Sequence, residues 1–196
     1  LMGRHSGAEI DKNRANANKL MGRFLYGLKK KAEYALISLT GGQKDNAITR
    51  ECTAEFLTDS VAEVKAYAKE LQDQLREEYT GSDENITFEI TEKGTATAEV
   101  LHPTSQEKIV FYLQNVPFGI QKMSGTIKGL VETSSNIGIL RLDRDELFAS
   151  SSVRSSVDAA CSALSDKIEY LTEFLGGDYE VQGAYPAWEY RKDSPL

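Results

Sequence analysis

The stretch SVAEVKAYAKELQDQLREEYTG, residues 60–81, decides the fold because it carries the clearest helical pattern in the 196-residue chain. Ser60 followed by Glu63 three residues later is a capping box, which predicts the start of a helix. Gly81 predicts its end. Between these points the apolar positions recur at spacings of three and four residues, which is typical of one buried helical face: Val61, Val64, Ala68, Leu71, Leu75 and Tyr79.

Patterns on both sides of this helix predict its neighbours. Alternation of Ile86, Phe88 and Ile90 with polar residues predicts a strand over 85–91. The first half also contains a predicted helix near 8–31 and predicted strands near 34–40 and 47–57. In the second half, a capping box at Thr104 and Glu107 opens the following series of elements: a helix to about 116, a glycine-punctuated loop over 118–129, strands near 130–142 and 146–154, a helix over 156–175 and a strand over 178–184.

This order of elements predicts an α+β fold made of two tandem helix–strand–strand–helix–strand units. Each unit would form an antiparallel sheet covered by helices on one face, as in ferredoxin-like folds, and a pseudo-twofold axis would relate the two units. The predicted boundaries place the first half at 1–94, a linker at 95–103, the second half at 104–186 and an exit segment at 187–196.

Composition excludes several classes of function. Thirty acidic against 23 basic residues give a net charge of −7, which disfavours binding to nucleic acid. No stretch approaches the ~18 apolar residues of a membrane span, so we expect no membrane partner. Cys52 and Cys161 are far apart in the sequence and fit a reducing compartment. No signal peptide opens the chain. Because the chain starts at Leu1 and not at a methionine, we expect it to be a piece of a longer protein.

Metal-binding chemistry is poorly represented. The two histidines, His5 and His102, are far apart, and no HExxH, His-x-Asp, adjacent Glu-Glu or Cys/His cluster occurs. A zinc site needs three or four converging ligands, usually with two of them close in sequence. We therefore expect no metal site built from this chain alone, and as a free-standing enzyme it is poorly equipped.

Three stretches carry glycines, amides and aromatic residues that a plain scaffold does not need: GRHSGAEI at 3–10 with NANKL at 16–20, GGQKDNAITRE at 41–51, and GAYPAW at 183–188 with DSPL at 193–196. In this order they resemble the inserted lid domain of the aminoacyl-histidine dipeptidases, the peptidase D and carnosinase-like group of the two-zinc metallopeptidases. The segment VETSSNIG at 131–138 and the Val153-Arg154-Ser155 site fit the resemblance too.

The resemblance implies a cytosolic, zinc-dependent dipeptidase that hydrolyses Xaa-His and similar dipeptides. Its two zinc ions would lie in a catalytic domain that is absent from this chain and to which residues 187–196 return. The lid would contribute to dimerisation, and alone it would be inactive. Five residues carry the implied site: His5 as the oxyanion donor in transition-state stabilisation, and Asn46, Arg154, Thr133 and Asn136 as contacts to the dipeptide substrate.

The chain departs from the family pattern at Arg4 and Ala187, where glycine is expected, and at Thr49, where proline is usual. Two alternatives stay open at this point. One is a stand-alone α+β module that binds a small ligand or mediates oligomerisation, because fold alone does not fix function. The other is a deacylase or another exopeptidase of the same clan. Flanking His-x-Asp and Glu-Glu motifs in an extended reading frame would favour the peptidase.

Overall fold

The computed structural model describes residues 9–144 and 146–183, which form an α+β fold with a five-stranded antiparallel sheet and four helices. The α+β prediction is therefore confirmed. A short 3-10 turn at Ile10–Lys12 precedes the elements, which follow in chain order: α1 (Ala17–Leu28), β1 (Ala35–Gly41), β2 (Cys52–Leu57), α2 (Val61–Glu78), α3 (Pro103–Asn115), β3 (Gly119–Met123), β4 (Val131–Asp143), β5 (Glu146–Ser155) and α4 (Asp158–Phe174).

Strand β4 is the centre of the sheet. One of its edges pairs with β5 from Thr133 to Asp143. Its other edge is shared, because β3 pairs with residues 131–135 and β1 pairs with residues 140–142. Strand β2 extends the sheet beyond β1. The two halves of the chain thus contribute two and three strands to one sheet, and they are not equal repeats of one unit.

The two faces of the sheet differ in character. Paired residues lie on the same face and successive residues on opposite faces. One row across the sheet is apolar and lies toward the helices: Ala54, Leu39, Leu142 and Leu147. The adjacent row points the other way and is exposed: Thr53, Thr40, Arg141 and Phe148. We call the second side the helix-free face.

All four helices pack against the apolar face. The predicted stripe of α2 is confirmed, since its buried residues are Val64, Ala68, Leu71 and Leu75. Helices α1 and α3 add Leu25, Leu28 and Leu113, and Leu171 of α4 packs against the same core. Close contact between α1 and α3 depends on Gly22, because a β-carbon there would overlap the Leu113 side chain. Among the helices of the described residues, none is long and apolar enough to span a membrane.

The predicted strand over 85–91 is wrong, although its buried residues were recognised correctly. Ile86 is buried and Phe88 and Ile90 pack against the core. Side chains of α2 satisfy the backbone here, since Arg76 Nε donates to the Ile86 carbonyl at 2.8 Å and Gln72 Oε1 accepts from the Phe88 amide at 2.9 Å. The segment therefore follows the helix without joining the sheet.

Other differences from the sequence prediction concern short elements and helix caps. The expected loop over 118–129 contains strand β3, and residues 178–183 form no strand. The first predicted helix is divided into the 3-10 turn and α1. Ser60 precedes α2 as expected, but its side chain makes no capping hydrogen bond. Helix α3 is capped by His102, whose Nδ1 accepts from the Thr104 amide at 3.2 Å, because Pro103 occupies the first helical position.

A partly buried ammonium group joins α1 to the end of α3. Lys19 Nζ donates to the carbonyls of Leu113, Gln114 and Val116 at 2.5, 3.1 and 2.9 Å. These carbonyls belong to the last turn and cap of α3, where a positive charge complements the helix dipole. Removal from water lowers the pKa of Lys19 to about 8.

We predict that Lys19→Met lowers the free energy of unfolding at pH 7 by roughly 1–3 kcal/mol, because three partly buried carbonyls lose their donor. Between pH 8 and the unfolded-state pKa of about 10.4, the unfolded chain binds more protons at Lys19 than the folded chain does. The difference in free energy of unfolding between wild type and variant should therefore increase by roughly 2 kcal/mol between pH 7 and pH 10. Urea unfolding of both proteins at pH 7, 9 and 10 measures this, and a constant difference would contradict it.

Candidate functional site

The site is built around a gap in the hydrogen-bonding edge of β4. Between the parts of this edge that pair with β3 and β1, the Ile137 carbonyl accepts from Asn16 Nδ2 at 2.9 Å and from Asn18 Nδ2 at 3.3 Å. The Thr49 hydroxyl lies 3.2 Å from the same carbonyl and 2.9 Å from that of Gly138. Side chains from the first half of the chain therefore take the place of a strand partner.

Asn16 also begins helix α1. Its Oδ1 accepts from the backbone amides of Asn18 and Lys19 at 2.9 and 3.2 Å, which is the usual geometry of an Asn N-cap. One buried side chain thus fixes the helix start and the β4 edge together.

The turn at residues 42–47, which we call the 42–47 loop, lies on the helix-free face directly over Gly138. A β-carbon at Gly138 would overlap the carbonyls of Lys44 and Asp45. A β-carbon at Gly42, which has a φ of +75°, would overlap the Gly138 carbonyl. Glycine at both positions is therefore required for the backbone of the loop to touch the strand.

Asn136 lies under this loop and is almost fully buried. Its Nδ2 donates to the Asp45 carbonyl at 3.2 Å and to the Ala47 carbonyl at 2.9 Å. Its Oδ1 accepts from Asn16 Nδ2 at 3.0 Å. Both ends of the Asn136 amide are therefore occupied by the protein, and the two loop carbonyls that it holds flank Asn46.

A groove of about 210 Å³ opens beside this region, at the amino end of β4. Arg154 is exposed there and pairs across the sheet with Ser134. The groove is lined by Ile10, Val131, Glu132, Ser134, Arg154, Ser155 and Ser156. Ser134 and Asn136 are two residues apart on one face of β4, which is about 7 Å along a strand. The structure thus brings the 42–47 loop and Arg154 to the same short stretch of β4.

Thr133 lies on the opposite side of the strand from Ser134 and Arg154. It is buried, and its hydroxyl is 2.9 Å from the Ser155 hydroxyl across the sheet. It is not among the residues that line the groove. A substrate contact at Thr133 would require this hydrogen bond to open.

Glu132 provides a carboxylate on the wall of the groove. Its Oε1 lies 2.7 Å from Lys122 Nζ on the neighbouring strand β3. The glutamate side chain is 10% exposed and the lysine 60%, so this pair stands between the protein interior and solvent. The groove therefore presents a guanidinium in Arg154 and a lysine-paired carboxylate in Glu132.

Comparison with known proteins found a matching family, a similar protein sequence and a similar solved structure. Residues 1–83 match the family described as peptidase dimerisation domain. The whole chain aligns with the cytosol non-specific dipeptidase of Escherichia coli strain K12 at 30% identity. It also aligns over its full length with the crystal structure of aminoacylhistidine dipeptidase from Vibrio alginolyticus, at 31% identity and a TM-score of 0.87.

The chain resembles the dimerisation domain of dipeptidases. It spans 41% of the Escherichia coli dipeptidase and 40% of the Vibrio chain. The relatives are thus more than twice as long as this domain. The similarity covers both halves of the fold, including the β4–β5 region that carries Arg154.

Only some of the predicted site residues of the dimerisation domain can be located. Asn46, Thr133, Asn136 and Arg154 are described, whereas His5 lies outside the described residues. Within residues 9–144 and 146–183, no group of three or more His, Cys, Asp and Glu side chains could hold a metal ion. The zinc ions that the resemblance implies therefore do not fit this part of the chain.

Sequence reasoning missed Ser134, Asn16, Asn18 and Thr49 as parts of the site. Ser134 could have been found from alternation, because positions 132, 134 and 136 share one face of a strand while Thr133 lies on the other. Thr49 had a signal too, since it departs from the usual proline, and its hydroxyl makes bonds that proline cannot.

We predict that Gly138→Ala lowers the free energy of unfolding by roughly 2–4 kcal/mol, because the new β-carbon would displace the 42–47 loop. Gly125→Ala is the matched control: it adds the same methyl group at an exposed position with no atom within 4 Å. It should change stability by less than about 0.5 kcal/mol. Chemical denaturation of the two variants measures this, and equal stabilities would contradict close packing at Gly138.

Proposed function

We propose that this domain is the lid of a cytoplasmic, zinc-dependent dipeptidase that hydrolyses Xaa-His and related dipeptides. The observation that carries the proposal is the placement of Asn46 and Arg154 beside one stretch of β4 on the helix-free face. Helices occupy the other face, so this side is available to a catalytic domain and a substrate.

Arg154 is the proposed contact for the carboxylate of the dipeptide. A guanidinium binds a carboxylate through two parallel hydrogen bonds, which suits a small substrate whose terminal charge must be recognised. Ser134, opposite Arg154 in the sheet, places a hydroxyl at the same groove and can donate a further hydrogen bond to that carboxylate.

Asn46 is the proposed amide donor to a carbonyl or carboxylate oxygen of the substrate, and His5 the proposed donor to the oxyanion of the transition state. Preorganised donors of this kind stabilise charge that develops during hydrolysis. A lid can bring them to the reacting bond when it closes and can exclude water at the same time. These roles rest on the family resemblance at GRHSGAEI and GGQKDNAITRE.

The two zinc ions of the proposed enzyme belong to a separate catalytic domain. There they would supply the activated water and polarise the scissile carbonyl. The lid contributes binding, orientation and donor groups. We further propose that two copies of the protein associate through this domain, in keeping with its match to peptidase dimerisation domains.

We predict that Arg154→Ala in the full-length protein raises KM for dipeptides by roughly 10–100-fold, because a charge-assisted carboxylate contact is lost. Dipeptide amides, which lack that carboxylate, should be poor substrates of the wild type and lose little more in the variant. Arg141→Ala is the control, since Arg141 is exposed on the same face at the other end of β4. Equal KM values for wild type and Arg154→Ala would contradict the proposed contact.

We also predict that the purified 196-residue chain, supplied with zinc, does not hydrolyse dipeptides. The physical reason is that its described residues assemble no metal-binding group. Release of free amino acids, followed by chromatography over hours, measures the activity. Zinc-dependent turnover by the chain alone would place the catalytic centre within it and would contradict a purely auxiliary role.

A further inference from the structure

We infer that Asn136 is a positioning residue that fixes the 42–47 loop on β4 and so sets the place of Asn46, without touching the substrate itself. The inference deepens the proposed function and rests on it for the role of Asn46. It assigns to Asn136 a task different from the substrate contact that the resemblance implies.

The hydrogen bonds of Asn136 carry the argument. An Asn side chain offers two N–H donors and one carbonyl acceptor. Both donors are directed at the loop, to the carbonyls of Asp45 and Ala47, and the acceptor receives Asn16 Nδ2. The residue is 2% exposed. A substrate could reach this amide only after bonds within the folded domain had broken.

The placement of these two bonds makes the effect specific to Asn46. The Asp45 carbonyl belongs to the peptide that leads into Asn46, and the Ala47 carbonyl belongs to the peptide that follows the next residue, so the backbone is held at one point before Asn46 and at one point after it. The backbone N–H of Asn46 also donates to Asp45 Oδ1 at 2.7 Å. Asn46 is half-buried, as expected for a residue that a restrained backbone holds at the protein surface.

Further contacts hold Asn136 and the 42–47 loop in place. Asn16 binds Asn136 Oδ1, the Ile137 carbonyl and the first turn of α1. Gly138 and Gly42 allow the loop backbone to rest on the strand. The 42–47 loop is therefore connected to α1 and β4 through buried hydrogen bonds, and Asn136 supplies the two that reach the loop on either side of Asn46.

The first experiment measures loop order in the 196-residue chain by ¹⁵N relaxation. Asn136→Asp keeps the side-chain shape and the acceptor for Asn16 but removes both donors to the loop. Backbone order parameters at residues 44–47 should fall from about 0.85 to below about 0.6, while those of α2 stay unchanged. Asn136→Ala removes the same donors without adding charge, and it serves if the aspartate variant fails to fold.

Ser135→Ala is the matched control. Ser135 is the buried neighbour of Asn136 on β4, and its hydroxyl has no hydrogen-bond partner in the described part of the chain. Its replacement should leave the order parameters of the loop unchanged. A loop that stays rigid in both Asn136 variants, or that loosens equally in Ser135→Ala, would overturn the inference.

The second experiment separates positioning from substrate contact by a double-mutant cycle in the full-length dipeptidase. Asn136→Asp alone should lower kcat/KM by roughly tenfold or more, because small displacements of a binding group are costly. In an Asn46→Ala background it should lower kcat/KM by less than about twofold, since the group that it positions is already missing.

The outcomes of the two experiments are distinct. If the effects of Asn136→Asp and Asn46→Ala on kcat/KM multiply in the double variant, positioning is overturned. That result would indicate either direct contact with the substrate or a general loss of structure. A loop that loosens with no change in kcat/KM would support positioning by Asn136. The same result would remove Asn46 from the proposed function.

Discussion

The carbonyl of Ile137 is the point on which the rest of the domain depends. It lies where the edge of β4 passes from β3 to β1, and a buried carbonyl without donors there would be costly. Asn16, Asn18 and Thr49 supply the donors, so residues far apart in sequence meet at one atom. Helix α1, the segment that carries Thr49 and strand β4 are placed relative to one another as a result.

The sheet separates the apolar core from the surface that we propose as the substrate-binding side. Its apolar face is covered by four helices, and the core lies between these helices and the sheet. Its helix-free face carries polar side chains and backbone turns, including the groove at Arg154. Residues on the helix-free face can therefore be arranged by hydrogen bonds to β4 without disturbing the packing on the other side.

Sequence patterns predicted the fold class and most of the helices because amphipathic spacing is a local property. The α2 stripe from Val64 to Leu75 is an example. They failed at residues 85–91, where Arg76 and Gln72 supplied hydrogen bonds that no periodicity can reveal. For the site, motif resemblance selected Arg154 and Asn46, whereas the buried bonds of Asn136 depend on a tertiary contact about 90 residues away in sequence.

The pairing of β1 with β4 has a consequence for how the chain folds. Leu39 and Leu142 are register partners although about a hundred residues separate them. Such distant pairing carries a large loop-closure entropy and slows the formation of a sheet. Strand β4 follows α1, β1 and α2 in the chain, so the edge of β1 that pairs with it can close only after β4 has been synthesised. The helix-free face is thus completed at a late step, after nearly three quarters of the 196 residues have been translated.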